Sequence, residues 1–125
     1  MVCRTENNND IVFVEFHDNL KVDLASAQEI VASRLSFTEN RKHYLIIDIS
    51  NVRQVSLEAK EFMQRPDAGL KNILAAAFIA SNPVSALIAN IFVKTPKEFE
   101  ARFFSNKKSA LEWIYGHRQK SADNT

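Results

Sequence analysis

Two apolar runs, Tyr44-Leu45-Ile46-Ile47-Asp48-Ile49 and Ile73-Leu74-Ala75-Ala76-Ala77-Phe78-Ile79-Ala80, constrain what this chain can fold into more than any other feature. A strand with one face in water alternates polar and apolar residues. A nearly continuous apolar run suits a strand covered on both faces, as in a parallel sheet. Neither run approaches the ~20 residues of a membrane-spanning helix, so no span is expected. The three alanines of the second run are ambiguous by propensity, but its short length and its flanks favour a strand.

The rest of the chain supplies the covering layers. Ile11–Phe16 is rich in β-branched and aromatic residues and reads as a strand. Val2–Glu6 pairs with it as a hairpin, turning at Asn7-Asn8-Asn9-Asp10. Asp23 caps a helix whose stripe is Leu24, Ala27, Val31 and Leu35, with Ile30 beside it; Arg34 and Glu39 fall outside. Ser56 caps a second helix, from Leu57 to about Arg65, limited by Pro66. A short helical turn is expected over Asp67–Lys71. Asn82-Pro83 opens a further helix with Val84, Leu87, Ile88 and Ile91 as its core stripe. In Phe99–Phe104 the alternation turns Phe99, Ala101 and Phe103 inward. Ser105 then caps a last helix, with Ala110, Leu111 and Ile114 inward, Trp113 beside them and Gly116 as its stop. The order β-β-α-β-α-(short α)-β-α-β-α predicts an α/β fold with a mainly parallel sheet, right-handed crossovers and an antiparallel hairpin at one edge. One domain is expected over residues 1–120, followed by a disordered polar tail at 121–125.

Composition excludes several function classes. The net charge is +1, so no global field recruits nucleic acid. From Lys94 onward there are seven basic and four acidic residues. Lys94, Lys97, Lys107 and Lys108 read as a solvated rim, because Phe99 and Phe103 alternate inward instead of interleaving with them. Cys3 is the sole cysteine; no internal disulfide can form, and a cytoplasmic location is expected, since the opening residues also lack the apolar core of a signal peptide. Cys3 has no base partner in the sequence. His17, His43 and His117 lie in separate segments without metal-ligand spacing, and His117 is placed in solvent beyond Gly116. Only Gly69 and Gly116 could serve a phosphate cradle, and they lie far apart. No cofactor, metal or catalytic residue is assigned.

Three strings carry a family resemblance: Leu45-Ile46-Ile47-Asp48-Ile49-Ser50-Asn51-Val52, then Ser81-Asn82-Pro83-Val84-Ser85, then Arg102-Phe103-Phe104-Ser105 leading to Ala110-Leu111-Glu112-Trp113-Ile114. In their order and spacing, from about Ile11 to Ile114, the chain resembles the STAS-type, SpoIIAA-like domains, closest to their uncharacterised stand-alone bacterial branch. The resemblance implies a mixed, mainly parallel sheet with about four helices and a non-catalytic regulatory or protein-interaction role. Anti-sigma-factor antagonists of this family carry a phosphorylatable serine in an Asp-Ser-Ser-Gly-like turn at a helix start. Here the stretch reads Val55-Ser56-Leu57-Glu58-Ala59, without the second hydroxyl and the glycine, and the switch does not carry over. The candidate switch or binding positions are Asp48, Ser56, Asn82 and Ser85. Phosphate on Ser56 would sit at a helix N-terminus, where free N–H groups favour it; a plain N-cap, worth about 1 kcal/mol, accounts for the same residue. Asp48 stands where ligands of open α/β sheets bind, and equally where an Asp stabilises a turn.

The helix from Pro83 to Lys94 is apolar nearly all round. Beside the core stripe it holds Ala86, Ala89, Phe92 and Val93, which form a candidate apolar interface. Self-association as a homodimer, or a protein partner, is the first reading of that surface. A small apolar or lipid-like ligand, carried or sensed between this helix and the sheet, is the second. An enzyme site assembled around Asp48, Ser56 and Asn82 ranks last.

Overall fold

The computed structural model describes residues 2–6 and 10–123. Five strands form the main sheet: β1 (Val2–Glu6), β2 (Ile11–Glu15), β4 (His43–Asp48), β6 (Ile73–Ile79) and β7 (Ala101–Phe104), in the order β1-β2-β4-β6-β7. β1 and β2 are antiparallel and every other pair is parallel. The expected hairpin edge is present, although its turn at Asn7–Asn9, like the side chain of Cys3 and the end of the tail at Asn124 and Thr125, lies outside the described residues.

The two apolar runs lie side by side, Leu45 opposite Ala76 and Ile47 opposite Phe78. Their unbroken hydrophobicity has a direct cause. Side chains alternate between two cores, so nearly every position on β4 and β6 is covered, with Leu74 at the start of β6 the exposed one. Val12, Val14, Leu45, Ile47 and Ala76 face one side; Ile11, Phe13, Tyr44, Ile46, Ala75 and Ala77 face the other. Three helices cover the first side: α1 (Leu24–Phe37), α2 (Leu57–Met63) and α3 (Pro83–Lys94). A single helix, α4 (Lys107–Asp123), covers the second through Ala110 and Ile114. Ala75 and Ala77, both fully buried, let α4 lie close to β6. The alanines that blurred the propensity signal thus set the depth of that contact.

Several local expectations are corrected. A second, two-stranded parallel sheet joins β3 (Leu20–Val22) to β5 (Val52–Val55). Asn51 fastens it by donating through Nδ2 to the Phe16 carbonyl at 2.6 Å. α1 is capped by Asp23, whose carboxylate accepts from the Ser26 N–H at 2.8 Å. Its buried stripe, however, is Ala27, Ile30, Val31 and Arg34, with Leu24 exposed. Arg34 is inside because its aliphatic stem packs while its guanidinium reaches two backbone carbonyls. Residues 64–72 form hydrogen-bonded turns, not a further helix. β7 begins at Ala101, and Phe103, on this edge strand, is 41% exposed instead of inward. The cap of α4 is Asn106, one residue beyond Ser105, with Oδ1 accepting from the Ser109 N–H at 2.9 Å. α4 also runs on through Gly116. His117 therefore does not lie in solvent; it packs edge-on to Tyr44 at 6.0 Å and beside Trp113 at 5.6 Å between ring centroids.

Candidate functional site

The carboxyl ends of β4 and β6 gather three of the four candidate polar residues. Asp48 Oδ1 accepts from the Ser50 N–H at 3.0 Å, which makes it a turn-stabilising carboxylate. Asn82 uses both ends of its side chain. Its Oδ1 accepts from the Ser85 N–H at 2.9 Å, capping α3, and its Nδ2 donates to the Ser50 carbonyl at 2.7 Å. Ser85 completes a capping box: its Oγ accepts from the Asn82 N–H at 3.3 Å and donates to the Asn82 carbonyl at 3.1 Å. Ser50 Oγ accepts from the Ser81 N–H at 3.1 Å and joins the two strand ends. Ser85 is fully buried. These hydroxyls and amides are committed to holding the start of α3 against the exit of β4.

Ser56 belongs to a different network. Its Oγ accepts from the Ala59 N–H at 3.1 Å as the N-cap of α2, and its N–H donates to the Val22 carbonyl at 2.9 Å. The structure therefore brings Asp48, Asn82 and Ser85 together through Ser50, with Ser56 bonded elsewhere.

The face of α3 is rotated from its sequence assignment. Ser85 and Ala89 are its buried residues; Ala86, Ile88 and Phe92 pack on the core beside them, and Phe92 stacks on Phe78 at 6.0 Å. Of the proposed outer surface, Ala86, Ala89 and Phe92 thus face the sheet, and Val93 is half-buried. Three of the four residues of the supposed core stripe face out, Val84 and Ile91 being exposed and Leu87 69% exposed, while Ile88 packs inward as expected. The capping box explains the rotation. It fixes Ser85 inward at the third helical position, and small Ala89 one turn later lets the helix approach the sheet.

Beneath this face lies a cavity of about 70 Å³ between the sheet and the three helices. Leu45, Ala76 and Phe78 wall it on the sheet side, and Ile30, Met63 and Phe92 on the helix side. Its few polar lining groups are Arg34, Gln64 and Lys97. Gln64 Nε2 donates to Thr95 Oγ1 at 2.8 Å, bridging the ends of α2 and α3. Lys97 is no rim lysine: its Nζ donates to the Phe92 carbonyl at 2.7 Å and to the Thr95 carbonyl, closing the last turn of α3. Burial pushes its ammonium pKa down from the usual value. Arg34 donates to the Gly69 carbonyl at 3.0 Å and the Lys71 carbonyl at 2.9 Å. Lys107, another of the supposed rim, lies 4.4 Å from the centroid of the Phe13 ring. The sequence carried one usable signal for Arg34: it stands seven residues after Ala27, on the same helix face as Val31 and Ile30.

His43 was also passed over. It is fully buried at the start of β4, with Nδ1 donating to the Arg41 carbonyl at 2.9 Å, which leaves the lone pair on a buried, unpartnered Nε2. Burial first, and the Arg34 charge second, lower its pKa against that hydrogen bond. The folded state therefore resists a proton that the unfolded chain accepts. Stability from this residue is present above the unfolded histidine pKa of about 6.5 and is lost as pH falls through it. Urea midpoints measured between pH 7.5 and 5.5 should fall with pH, and His43→Phe should flatten the slope.

Among the described residues, no group of three or more His, Cys, Asp and Glu side chains is placed to hold a metal ion. No helix among them is long and apolar enough to cross a membrane.

A mainly parallel sheet with a hairpin edge, three helices on one face and one on the other, defines a SpoIIAA-like fold. Across 90% of both chains it matches the crystal structure of an uncharacterized protein of the DUF3478 family with a SpoIIAA-like fold from Shewanella loihica PV-4, with a TM-score of 0.61 and 18% identity. The likeness is one of fold. The chain belongs to the DUF7793 family, a domain of unknown function whose model matches residues 5–118. It is also 29% identical, over 116 residues and 91% of its length, to a ribosomal protein L11 methyltransferase of Campylobacter jejuni subsp. jejuni, and spans 35% of that protein.

Proposed function

We propose that this chain is a non-catalytic regulatory domain that works by holding a small apolar or lipid-like molecule between its sheet and the α2–α3 pair. The cavity under α3 is the observation that carries this reading. Protein interiors are close-packed, and an apolar void forfeits contacts its lining would otherwise make. A void kept beside a helix tied at both ends, by the Asn82 box and the Gln64–Thr95 bond, favours a binding role. The non-catalytic part draws support from Asp48, Ser56, Asn82 and Ser85, each engaged in a turn or cap. The methyltransferase name of the Campylobacter relative is not extended to a chain that spans about a third of that protein. Native mass spectrometry of freshly purified protein tests the reading. A co-purifying apolar mass, lost in Ala76→Leu, is expected; a clean apo mass that takes up no added apolar compound would sink it.

Self-association is a second reading, favoured by the outward stripe of Val84, Leu87 and Ile91 together with Leu57, which is 64% exposed at the start of α2. Light scattering at high concentration should then show a dimer that Leu87→Glu converts to monomer. A wild-type chain that stays monomeric throughout removes this reading.

A further inference from the structure

β7 forms one edge of the main sheet and pairs with β6 alone among the described residues. Its backbone groups divide by parity. The Glu100 and Phe104 carbonyls accept from the N–H groups of Ala76 and Ala80, in and just beyond β6, at 3.1 and 2.8 Å. Along a strand these groups point to alternate sides. The N–H and C=O of Ala101 and Phe103 are therefore turned away from β6, toward the open edge. The helices leave that edge accessible. α4 packs chiefly over β2, β4 and β6. Phe103 shares the α3 face with Ala101, yet it is 41% exposed. An open edge that also shows an aromatic ring is a template for a further strand.

We propose that the strand it takes is the β7 of a second copy of this chain, paired antiparallel about a two-fold axis through Ala101. The inference rests on the self-association reading above and names the strand and the register that make the contact.

Charge complementarity picks both the occupant and the register. Glu100 and Arg102 are exposed on one face of the strand, and neither side chain has a hydrogen bond or ion pair among the described residues. With Ala101 opposite the partner's Ala101, the two residues exchange both outward hydrogen bonds. Glu100 then stands opposite the partner's Arg102, and the two-fold repeats the pair as Arg102 opposite the partner's Glu100. These are non-hydrogen-bonded positions, where facing side chains come closest. Phe103 falls opposite the partner's Phe99 in the same register. The neighbouring registers that keep the outward groups paired set Glu100 against the partner's Glu100, or Arg102 against the partner's Arg102, and like charges directly opposite repel. An axis normal to the sheet also keeps both α3 helices on the same face of the joined sheet, one on either side of the junction.

The test is sedimentation equilibrium of the intact chain over a concentration series, with wild type, Glu100→Arg, Arg102→Glu and the double variant that carries both changes. Wild type should form a dimer and nothing larger, because the two-fold contact closes on itself. Each single change creates two like-charge pairs at once and should weaken the dimer about 10-fold or more. The double variant restores opposite charges in every pair and should recover most of the wild-type affinity. Both positions are exposed, and unchanged urea midpoints at a concentration where all four are monomers would show that the fold is intact. A dimer indifferent to both single changes, or one that the double variant fails to recover, would overturn the strand pairing and leave self-association through another surface standing. A wild-type chain that is monomeric at every concentration overturns both.

Discussion

Gly69→Ala should be among the most damaging single substitutions in this chain, at about 3 kcal/mol, the upper end of what overpacking costs. After α2 the chain folds back beneath its own helix end, and the Gly69 N–H donates to the Phe62 carbonyl at 3.2 Å. A Cβ on Gly69 would stand well inside van der Waals contact with the backbone of Met63, carbonyl oxygen included. Backbone cannot swing aside as a side-chain tip can. Either the end of α2 or the turn at 69–71 must move, and the turn is where Arg34 is anchored. The change therefore strikes a steric contact and a buried guanidinium together. Gly116→Ala is the control of opposite sign. Nothing lies within 4 Å of a Cβ built there, and the residue is exposed inside α4. Alanine should add about 1 kcal/mol by helix propensity alone. Urea unfolding of both variants would check the pair; a Gly69→Ala protein as stable as the wild type would mean that the contact with Met63 is not as described.

The contrast shows which features of the fold were legible from residues alone. The central strands were, because continuous apolar runs of six to eight residues have few other uses in a chain of this composition. Asp23, Ser56 and Asn82 were legible as caps, since capping is decided within four residues of sequence. The rotation of α3 was not. Both of its stripes are apolar, so hydrophobicity could not rank them, and the deciding residue, Ser85, is polar and reads from sequence as a switch or binding position instead of a buried cap. Arg34 was misplaced for a related reason: its charge suggested solvent, while its neighbours on the helix are buried. The β3–β5 pair escaped because three- and four-residue strands carry too little periodicity to register. Of the candidate site, the strand ends at Asp48 and Asn82 were found. The cavity was anticipated only in outline, as a space between the Pro83–Lys94 helix and the sheet, and its polar lining of Arg34, Gln64 and Lys97 was not, because these residues come from three helix ends far apart in the chain.

Neighbouring alanines on β6 should answer the same enlargement in opposite ways. Ala76 and Ala77 are both buried, one on each face of the sheet. Ala77 sits in the core under α4, in company with Ala110 and Ile114, and nothing in its surroundings can yield without moving the helix. Ala77→Leu should cost about 3 kcal/mol through overpacking. Ala76 faces the cavity of about 70 Å³. There a leucine has empty, apolar space to enter, and each added methylene can recover up to about 0.8 kcal/mol. With part of that gain spent on imperfect fit, Ala76→Leu should leave the chain as stable as before or about 1 kcal/mol more so. The two values, read from urea unfolding, measure how differently the faces are filled. A cavity that can be filled at no cost in stability, yet is left open by the natural sequence, implies that the open space has a use. If Ala76→Leu instead destabilised the chain as much as Ala77→Leu, the space would be too small to hold anything, and the binding role built upon it would fail with it.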